Sequence, residues 1–180
     1  PYLDINFKKN TAKNVAAALR SYGIKEKQVL GVLNKAYSEQ LRYKRANEQK
    51  ALEIIADARS KGQKIIVLAG RPYHIDREIN HGIHKLIASL GFAVVTEDSV
   101  ANLVDCPPLD VLNQWTYHAR LYRAAEYVCE NDDMQLVQLV SFGCGIDAVT
   151  TDEVRAILEE HGKLYTQLKI DEITNLGAAK

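Results

Sequence analysis

The chain has 180 residues, of which 47% are hydrophobic and 26% are charged, a composition typical of a globular protein with one good-sized domain. Its 23 basic residues balance its 23 acidic residues, so no net field would attract nucleic acid or an anionic membrane. The sequence contains neither a secretory signal nor an apolar run near the roughly 20 residues of a membrane-spanning helix. Three cysteines without a CxxC motif indicate reduced thiols, and we expect a cytoplasmic protein.

The two ends of the chain indicate a piece of a longer protein. The first residue is Pro1 rather than a methionine, and the last residues, Ala-Ala-Lys, carry no capping or stop signal. We therefore expect motifs that are missing from this sequence to lie elsewhere in the full-length protein.

The first third of the chain is predicted to be helical. A short amphipathic helix ends at Gly23, and a longer one, with apolar residues at three- and four-residue steps, ends at Gly62. The longer helix carries a basic cluster at 42–45. We interpret this cluster as the solvated face of an amphipathic helix rather than as a nucleic-acid site. The predicted helical extension covers residues 1–62.

From residue 63 the pattern changes to strands that alternate with helices. Apolar runs predict four strands, at 64–70, 92–96, 135–142 and 163–170. Amphipathic stretches predict three helices, at 77–90, 109–130 and 151–161. Residues 97–108 are predicted to be irregular, and the second helix is predicted to bury a stripe that includes Leu112, Trp115 and Tyr122. We therefore predict a three-layer α/β domain over 63–180, with a parallel sheet of about four strands.

The loops after the predicted strands would meet at one edge of the sheet. In a parallel sheet this is the edge formed by the carboxyl ends of the strands, where ligands bind. The polar and thiol side chains that it would collect are Arg71, Tyr73, His74, Asp76, Glu97, Asp98, Cys106, Cys144, Asp171 and Glu172. The sequence therefore indicates where chemistry would occur more clearly than which chemistry it is.

The segment Gly70-Arg71-Pro72-Tyr73-His74 is a candidate loop for recognition of an anion. Arg71 offers a planar set of donors suited to a phosphate or carboxylate, and His74 could titrate near neutrality or bind a metal. The alternative is that these side chains make structural hydrogen bonds to neighbouring loops. The position of the loop favours a ligand-binding role for Arg71, Tyr73 and His74.

The three cysteines have different predicted roles. Cys144 lies between two glycines directly after a strand, where free amides and a helix dipole would favour a thiolate; an inert cysteine in a tight turn is the alternative. Cys106 precedes two prolines in a rigid loop and is either a ligand or a small loop residue. Cys129 continues the apolar stripe of its helix and is expected to pack in the core. A pair of Cys144 with His74 as nucleophile and base has no supporting local motif.

Five sequence words resemble one family. They are LAGRPYHID, EINHG, VLNQWTYHARLYRAA, LVSFGCGIDAVTTDEVR and YTQLKIDEITNLGAAK. Together they are similar to the dehydratase-like region of CoA-substrate-specific enzyme activase-related proteins, in the 2-hydroxyacyl-CoA dehydratase and benzoyl-CoA reductase group. The resemblance covers residues 64–180 closely and the N-terminal helices more loosely.

The resemblance implies a cofactor. In this group an activase region hydrolyses ATP to drive one electron onto a dehydratase or reductase that acts on a CoA thioester. The dehydratase subunits hold a four-iron four-sulfur cluster through cysteines at strand ends. Carried over to this chain, the resemblance makes Cys144 the candidate cluster ligand, with Cys106 as a second, weaker candidate. Because such a cluster needs about four ligands, it would be incomplete in this chain.

The function that the resemblance implies is that of a dehydratase-like domain of a CoA-enzyme activase. It would serve iron–sulfur-linked electron transfer to acyl-CoA dehydration or reduction, and its partners would be the activase region and an acyl-CoA dehydratase or reductase. We expect no nucleic-acid or membrane partner and no activity of the isolated fragment. One alternative is a non-catalytic docking module that forms homo-oligomers through the long helix. Another is a small-molecule or nucleotide-binding domain without redox chemistry.

Overall fold

The computed structural model describes residues 6–141 and 145–170. The helices are α1 (Lys8–Ala18), α2 (Glu26–Ser60), α3 (Ile83–Ser89), α4 (Glu97–Val100), α5 (Thr116–Cys129) and α6 (Gly145–Glu160), with 3₁₀ turns at Arg20–Tyr22 and Pro72–Ile75. The strands are β1 (Ile65–Ala69), β2 (Ala93–Thr96), β3 (Met134–Val140) and β4 (Tyr165–Lys169). The chain divides into two compact units, Pro1–Ala46 and Asn47–Lys180.

The first unit is helical, as the periodicity of its apolar residues predicts. It contains α1, the first 3₁₀ turn and the beginning of α2. Gly23 ends the turn with a φ angle of 69°, which glycine adopts without steric cost. Thr11 and Ala12 of α1 are buried, whereas Val32 and Leu41 of α2 are exposed. The predicted N-terminal helical segment is therefore confirmed, and its extent as a domain to residue 62 stays a prediction.

The second unit is built on a four-stranded parallel sheet in the order β2-β1-β3-β4. β1 pairs with two neighbours, so that Val67 lies opposite Val95 of β2 and Leu136 of β3. All residues of β1 are buried, as expected for a strand that is covered on both faces. The predicted α/β fold with a parallel sheet is therefore confirmed.

Helices cover both faces of this sheet. On one face the core contains side chains of α5 and α6, such as Leu121 and Val154, and of the C-terminal part of α2, such as Ile55. On the other face α3 packs Ile83 and Ile87 against β1. The three predicted layers are therefore present.

The order of the strands creates a topological switch point between β1 and β3. From β1 the chain passes through α3 to β2 on one side of the sheet, and from β3 it passes through α6 to β4 on the other side. The two helices lie on opposite faces, as right-handed crossover connections require. The carboxyl ends of β1 and β3 therefore border the crevice in which sheets of this kind bind ligands.

The predicted helix at 109–130 is too long at its start. α5 begins at Thr116, after Trp115 in extended backbone conformation. Leu112 and Trp115 have apolar side chains at helical spacing, but they precede the helix and are 78% and 50% exposed. The prediction that they form a buried stripe with Tyr122 is wrong, and only Tyr122 is buried.

Three further boundaries differ from the prediction. The helix predicted at 77–90 begins only at Ile83, because His81 and Gly82 have φ angles of 50° and 78°, which interrupt a right-handed helix. Residues 97–100, predicted to be irregular, form α4. The helix predicted at 151–161 begins at Gly145, and its first turns carry the exposed side chains of Ile146 and Val149, which hide the apolar period there.

Within the described residues there is no helix whose length and hydropathy would suit it to a lipid bilayer.

Candidate functional site

The loop after β1 folds tightly onto its own start. Gly70 follows β1, and Pro72 opens a 3₁₀ turn, since its ring fixes the backbone angle that such a turn needs. The backbone N–H of Arg71 donates to Nδ1 of His74 at 2.9 Å, and the N–H of His74 donates to the carbonyl oxygen of Arg71 at 2.8 Å. This reciprocal pair holds the His74 ring at the end of β1, where it is 2% exposed.

Gly70 leaves the space that the His74 ring occupies. A Cβ atom at this position would lie 2.5 Å from Nδ1 of His74 and 3.0 Å from the carbonyl oxygen of Leu139 in β3. The second contact is with backbone, which cannot move without disturbing β3. The close approach of the loop to β3 therefore requires a residue without a side chain.

The hydrogen bonds of His74 indicate which ring nitrogen carries the proton. Because Nδ1 accepts from Arg71, neutral His74 carries its proton on Nε2, which faces Oγ of Ser141 at 3.2 Å. Burial lowers the pKa of His74, opposed by Asp147, so the ring is neutral near pH 7. The hydroxyl of Tyr73 lies 3.0 Å from the same Oγ. Since His74 donates to Ser141, it is not placed to accept the serine proton as a general base.

An ion pair joins this loop to the start of α6. Nη2 and Nε of Arg71 lie 2.7 and 3.0 Å from Oδ1 of Asp147, in the first turn of α6. Both side chains are largely buried, and a carboxylate at this position also complements the positive end of the helix dipole. Among the described residues, the guanidinium of Arg71 therefore has a carboxylate partner from the protein itself. Its role in binding a ligand stays a prediction.

His118 of α5 lies on the other side of Asp147. Its Nε2 is 3.9 Å from Oδ1 of Asp147. Both ring nitrogens of His118, and Oδ2 of Asp147, are buried without a hydrogen-bond partner in the part of the chain that the structure describes. Burial lowers the pKa of His118, so its ring is also neutral near pH 7. Because buried polar atoms are nearly always paired, a water or another small molecule would find hydrogen-bond partners at these three atoms.

A cavity of about 220 Å³ opens beside His118. It lies between the N-terminal ends of α5 and α6 and the segment 111–115 that precedes α5. Its lining is mostly apolar and includes Leu112, Trp115, Ile146 and Val149. The ring of Trp115 meets that of His118 edge to face, with 6.1 Å between the centroids. The residues that were wrongly predicted as a buried helical stripe thus form a wall of this cavity.

A second buried ion pair follows β2. Glu97 is 1% exposed, and its Oε1 accepts from Nη2 of Arg120 at 2.5 Å. Its Oε2 has no partner within the described ranges. Burial raises the pKa of Glu97 to about 7, although Arg120 acts in the opposite direction. The neighbouring Asp98 accepts from Thr96 and Asn47. The two acidic residues after β2 therefore make structural contacts.

Of the two predicted cluster ligands, the structure describes only Cys106. Sγ of Cys106 accepts from Nδ2 of Asn113 at 3.3 Å. Cys106 lines an open cavity of about 510 Å³ with Glu126 and Glu130, beside the C-terminal half of α5 rather than at the switch point. Cys144 lies outside the described residues, as do Asp171 and Glu172. Within 6–141 and 145–170, no three His, Cys, Asp or Glu side chains are grouped to hold a metal ion.

Cys129 has the role that its position in the apolar stripe predicts. It packs against the core, with Sγ 3.6 Å from the carbonyl oxygen of Ile157. Burial raises the pKa of its thiol to about 11. The side chain is therefore a poor thiolate and behaves as a small apolar group.

The sequence did not mark several residues that the site uses. Ser141 begins the SFGCG segment after a predicted strand, and Asp147 follows that segment by two residues, so their closeness in sequence to the candidate ligand Cys144 is a signal for both. His118 and Arg120 lie within a predicted helix, and no local pattern distinguishes them from surface residues. The packing of α5 brings His118 close to Asp147 at the start of α6 and Arg120 close to Glu97 after β2.

Residues 1–100 of the chain match the model of a family described as the CoA enzyme activase uncharacterised domain. The match includes the loop with Arg71, Tyr73 and His74, and it ends before Cys106 and Cys144. Comparisons with curated proteins and with solved structures returned no match.

Substitution of Gly70 by alanine should displace the His74 ring, because the new Cβ would overlap Nδ1 of His74. We expect Gly70→Ala to lower the free energy of unfolding by about 1–3 kcal/mol, as is typical of overpacking. Urea unfolding measures this change. The matched control is Gly31→Ala in α2, where no heavy atom lies within 4 Å of the new Cβ, so stability should be unchanged or higher. A Gly70→Ala variant as stable as the wild type would contradict the account.

The stability of the chain should depend on pH through Glu97. Its pKa is raised from 4.5 to about 7 in the folded chain, so the folded chain binds more protons than the unfolded chain between these values. The free energy of unfolding then falls as pH rises through this window, by on the order of 1 kcal/mol per pH unit. The stability advantage of the wild type over Glu97→Gln should therefore be larger at pH 5 than at pH 8.

Urea unfolding at pH 5, 6, 7 and 8 tests this expectation, with Glu53→Gln on the exposed side of α2 as the matched substitution. A difference between the wild type and Glu97→Gln that is the same at all four pH values would contradict it.

Proposed function

Because the chain belongs to the family of the CoA enzyme activase uncharacterised domain, we propose that its α/β unit is the dehydratase-like part of such an activase. In this role it serves iron–sulfur-linked electron transfer to the dehydration or reduction of an acyl-CoA. One observation carries the proposal: the loop after β1 and the start of α6 converge at the switch point through the Arg71–Asp147 ion pair. Ligands bind at such points in α/β sheets.

The position of Cys144 in the sequence supports a role as a ligand to the cluster. It directly precedes Gly145, where α6 begins, and the N-terminal end of a helix favours a thiolate. Ser141, three residues before it, bonds to the His74 and Tyr73 side chains. The last described residue before Cys144 is therefore fixed at the switch point.

The described residues do not by themselves fit a complete cluster. A four-iron four-sulfur cluster needs about four protein ligands, and no group of three candidate ligands occurs in 6–141 or 145–170. Cys106 is engaged with Asn113 beside α5. We therefore propose that Cys144 supplies one ligand and that the remaining ligands come from the activase region or from a partner dehydratase or reductase.

The polar residues after β1 would position the group that binds beside this loop. Arg71 is paired with Asp147, and His74 is neutral and hydrogen-bonded through both ring nitrogens. This arrangement makes the loop rigid, so its contribution is to hold the Tyr73 and Ser141 hydroxyl groups in place. A rigid loop of this kind limits reorganisation when a ligand binds.

Replacement of Cys144 by alanine should remove iron from the full-length protein. After anaerobic reconstitution with iron and sulfide, we expect the Cys144→Ala protein to hold less iron per chain than the wild type, with loss of the corresponding electron paramagnetic resonance signal. The matched control is Cys129→Ala, whose thiol packs against the core, and which should retain the iron of the wild type. Equal iron content in Cys144→Ala and wild-type protein would refute the assignment of this ligand.

A second candidate function, a docking or oligomerisation module, is favoured by the exposed apolar side chains of α2. Val32 and Tyr43 are both more than half exposed, and they lie three helical turns apart on one face of the helix. Apolar side chains that are exposed on one face of a helix can contact another chain. In this case the first unit would join copies of the protein or attach it to a partner.

If α2 mediates self-association, the protein should form a dimer in sedimentation velocity experiments at micromolar concentration. Val32→Lys should convert this dimer to a monomer, because a charge at the centre of an apolar contact is costly. Arg45→Glu, at an exposed position of α2 about 140° around the helix from Val32, is the control for a change of charge outside the face that carries Val32 and Tyr43. A wild-type protein that remains monomeric at all concentrations would exclude self-association.

A further inference from the structure

The cavity between α5 and α6 combines an apolar wall with a polar group that lacks a partner. Leu112, Trp115 and Val149 line it, and each of these side chains is at least 50% exposed. Apolar side chains around a cavity give a bound molecule apolar surface to cover, which favours its burial there. His118, which also lines the cavity, has two buried ring nitrogens without partners among the described residues.

The size of the cavity limits what can bind. Its volume of about 220 Å³ is below the roughly 300–1,000 Å³ of pockets that enclose drug-sized ligands. It therefore suits a compound of a few heavy atoms. The rings of Trp115, His118 and Tyr122 all line it, and aromatic rings make favourable edge-to-face contacts with another ring.

The charges near the cavity favour a neutral ligand. The carboxylate of Asp147 lies 3.9 Å from Nε2 of His118, so a second carboxylate bound to His118 would meet a like charge. The same carboxylate is already paired with Arg71, so an ammonium group would approach a guanidinium as well as a carboxylate. Neither an anion nor a cation gains from this pair of opposite charges.

The polar atoms of His118 favour a hydroxyl group. A neutral imidazole has one nitrogen that donates and one that accepts, whereas a hydroxyl can do either. A hydroxyl can therefore bond to His118 whichever nitrogen carries the proton. The oxygen of a ketone or an ether can only accept a hydrogen bond. It could therefore bond to a given nitrogen of His118 only in the tautomer that carries the proton on that nitrogen.

We propose that this cavity binds a small neutral compound with an aromatic ring and one hydroxyl group, of the phenol class. The ring lies against Leu112, Trp115 and Val149, and the hydroxyl bonds to His118. This site is separate from the proposed electron-transfer function, because its residues belong to α5, α6 and the segment before α5 and do not include Cys144. It holds whether or not Cys144 binds a cluster.

Isothermal titration calorimetry of the full-length protein with phenol and with toluene tests the proposal. The two probes have the same ring, and only phenol has a hydroxyl. We expect saturable binding of phenol at millimolar concentration and binding of toluene that is at least about threefold weaker, because toluene leaves His118 unpaired. The variant His118→Phe keeps a ring and loses the nitrogens, so it should weaken phenol binding by about threefold or more and leave toluene binding within about twofold.

The contribution of the apolar wall is tested with the same substitution, leucine to alanine, at two positions. Leu112→Ala at the cavity should weaken both probes by about threefold or more, because it removes apolar contact area. Leu164→Ala, an exposed leucine that does not line this cavity, should leave both affinities unchanged. The proposal is overturned if phenol shows no saturable binding, if toluene binds as tightly as phenol, or if Leu112→Ala and His118→Phe bind phenol as the wild type does.

Discussion

The Arg71–Asp147 ion pair is the contact on which the candidate site depends. It connects the loop after β1 with the first turn of α6, the two segments that leave the sheet on opposite faces at the switch point. Since Nε and Nη2 of Arg71 both bond to Oδ1, the second carboxylate oxygen is left without a partner among the described residues. The pair thus fixes the backbone on both sides of the crevice and leaves an acceptor there.

Two histidines flank this ion pair and differ in what they do. His74 is fully engaged, with Nδ1 bonded to the Arg71 amide and Nε2 to Ser141, so it supports the loop. His118 is less deeply buried, with 12% of its side chain exposed, its nitrogens have no partner within the described ranges, and it borders a cavity. Neutral rings suit both roles, because a charge at either position would be desolvated. The contrast is that His74 is used within the protein, whereas the ring nitrogens of His118 are not bonded to any described residue.

The sequence predicts the sheet better than the site. β1 is a continuous apolar run, which is typical of a parallel strand that is covered on both faces. The three layers of the domain follow from this pattern. The edge at which ligands would bind follows from the parallel direction of the strands. Leu112 and Trp115 have the spacing of a helix but line a cavity, and periodicity cannot distinguish these two reasons for an apolar residue. His118 and Arg120 acquire their roles from packing between distant segments, which no local pattern encodes. Membership of the CoA enzyme activase family indicates the kind of protein to which the site belongs. The hydrogen bonds and the burial of the site residues can be described only from the structure.

A double-mutant cycle on Arg71 and Asp147 would test this account most directly. The free energies of unfolding of the wild type, Arg71→Gln, Asp147→Asn and the double variant are measured by urea unfolding at pH 7. Contacts that Arg71 makes elsewhere cancel in such a cycle. The account predicts a coupling energy of at least about 0.5 kcal/mol, because the ion pair is largely buried. Effects of the two substitutions that add to within about 0.3 kcal/mol would show that the pair does not hold the two segments together.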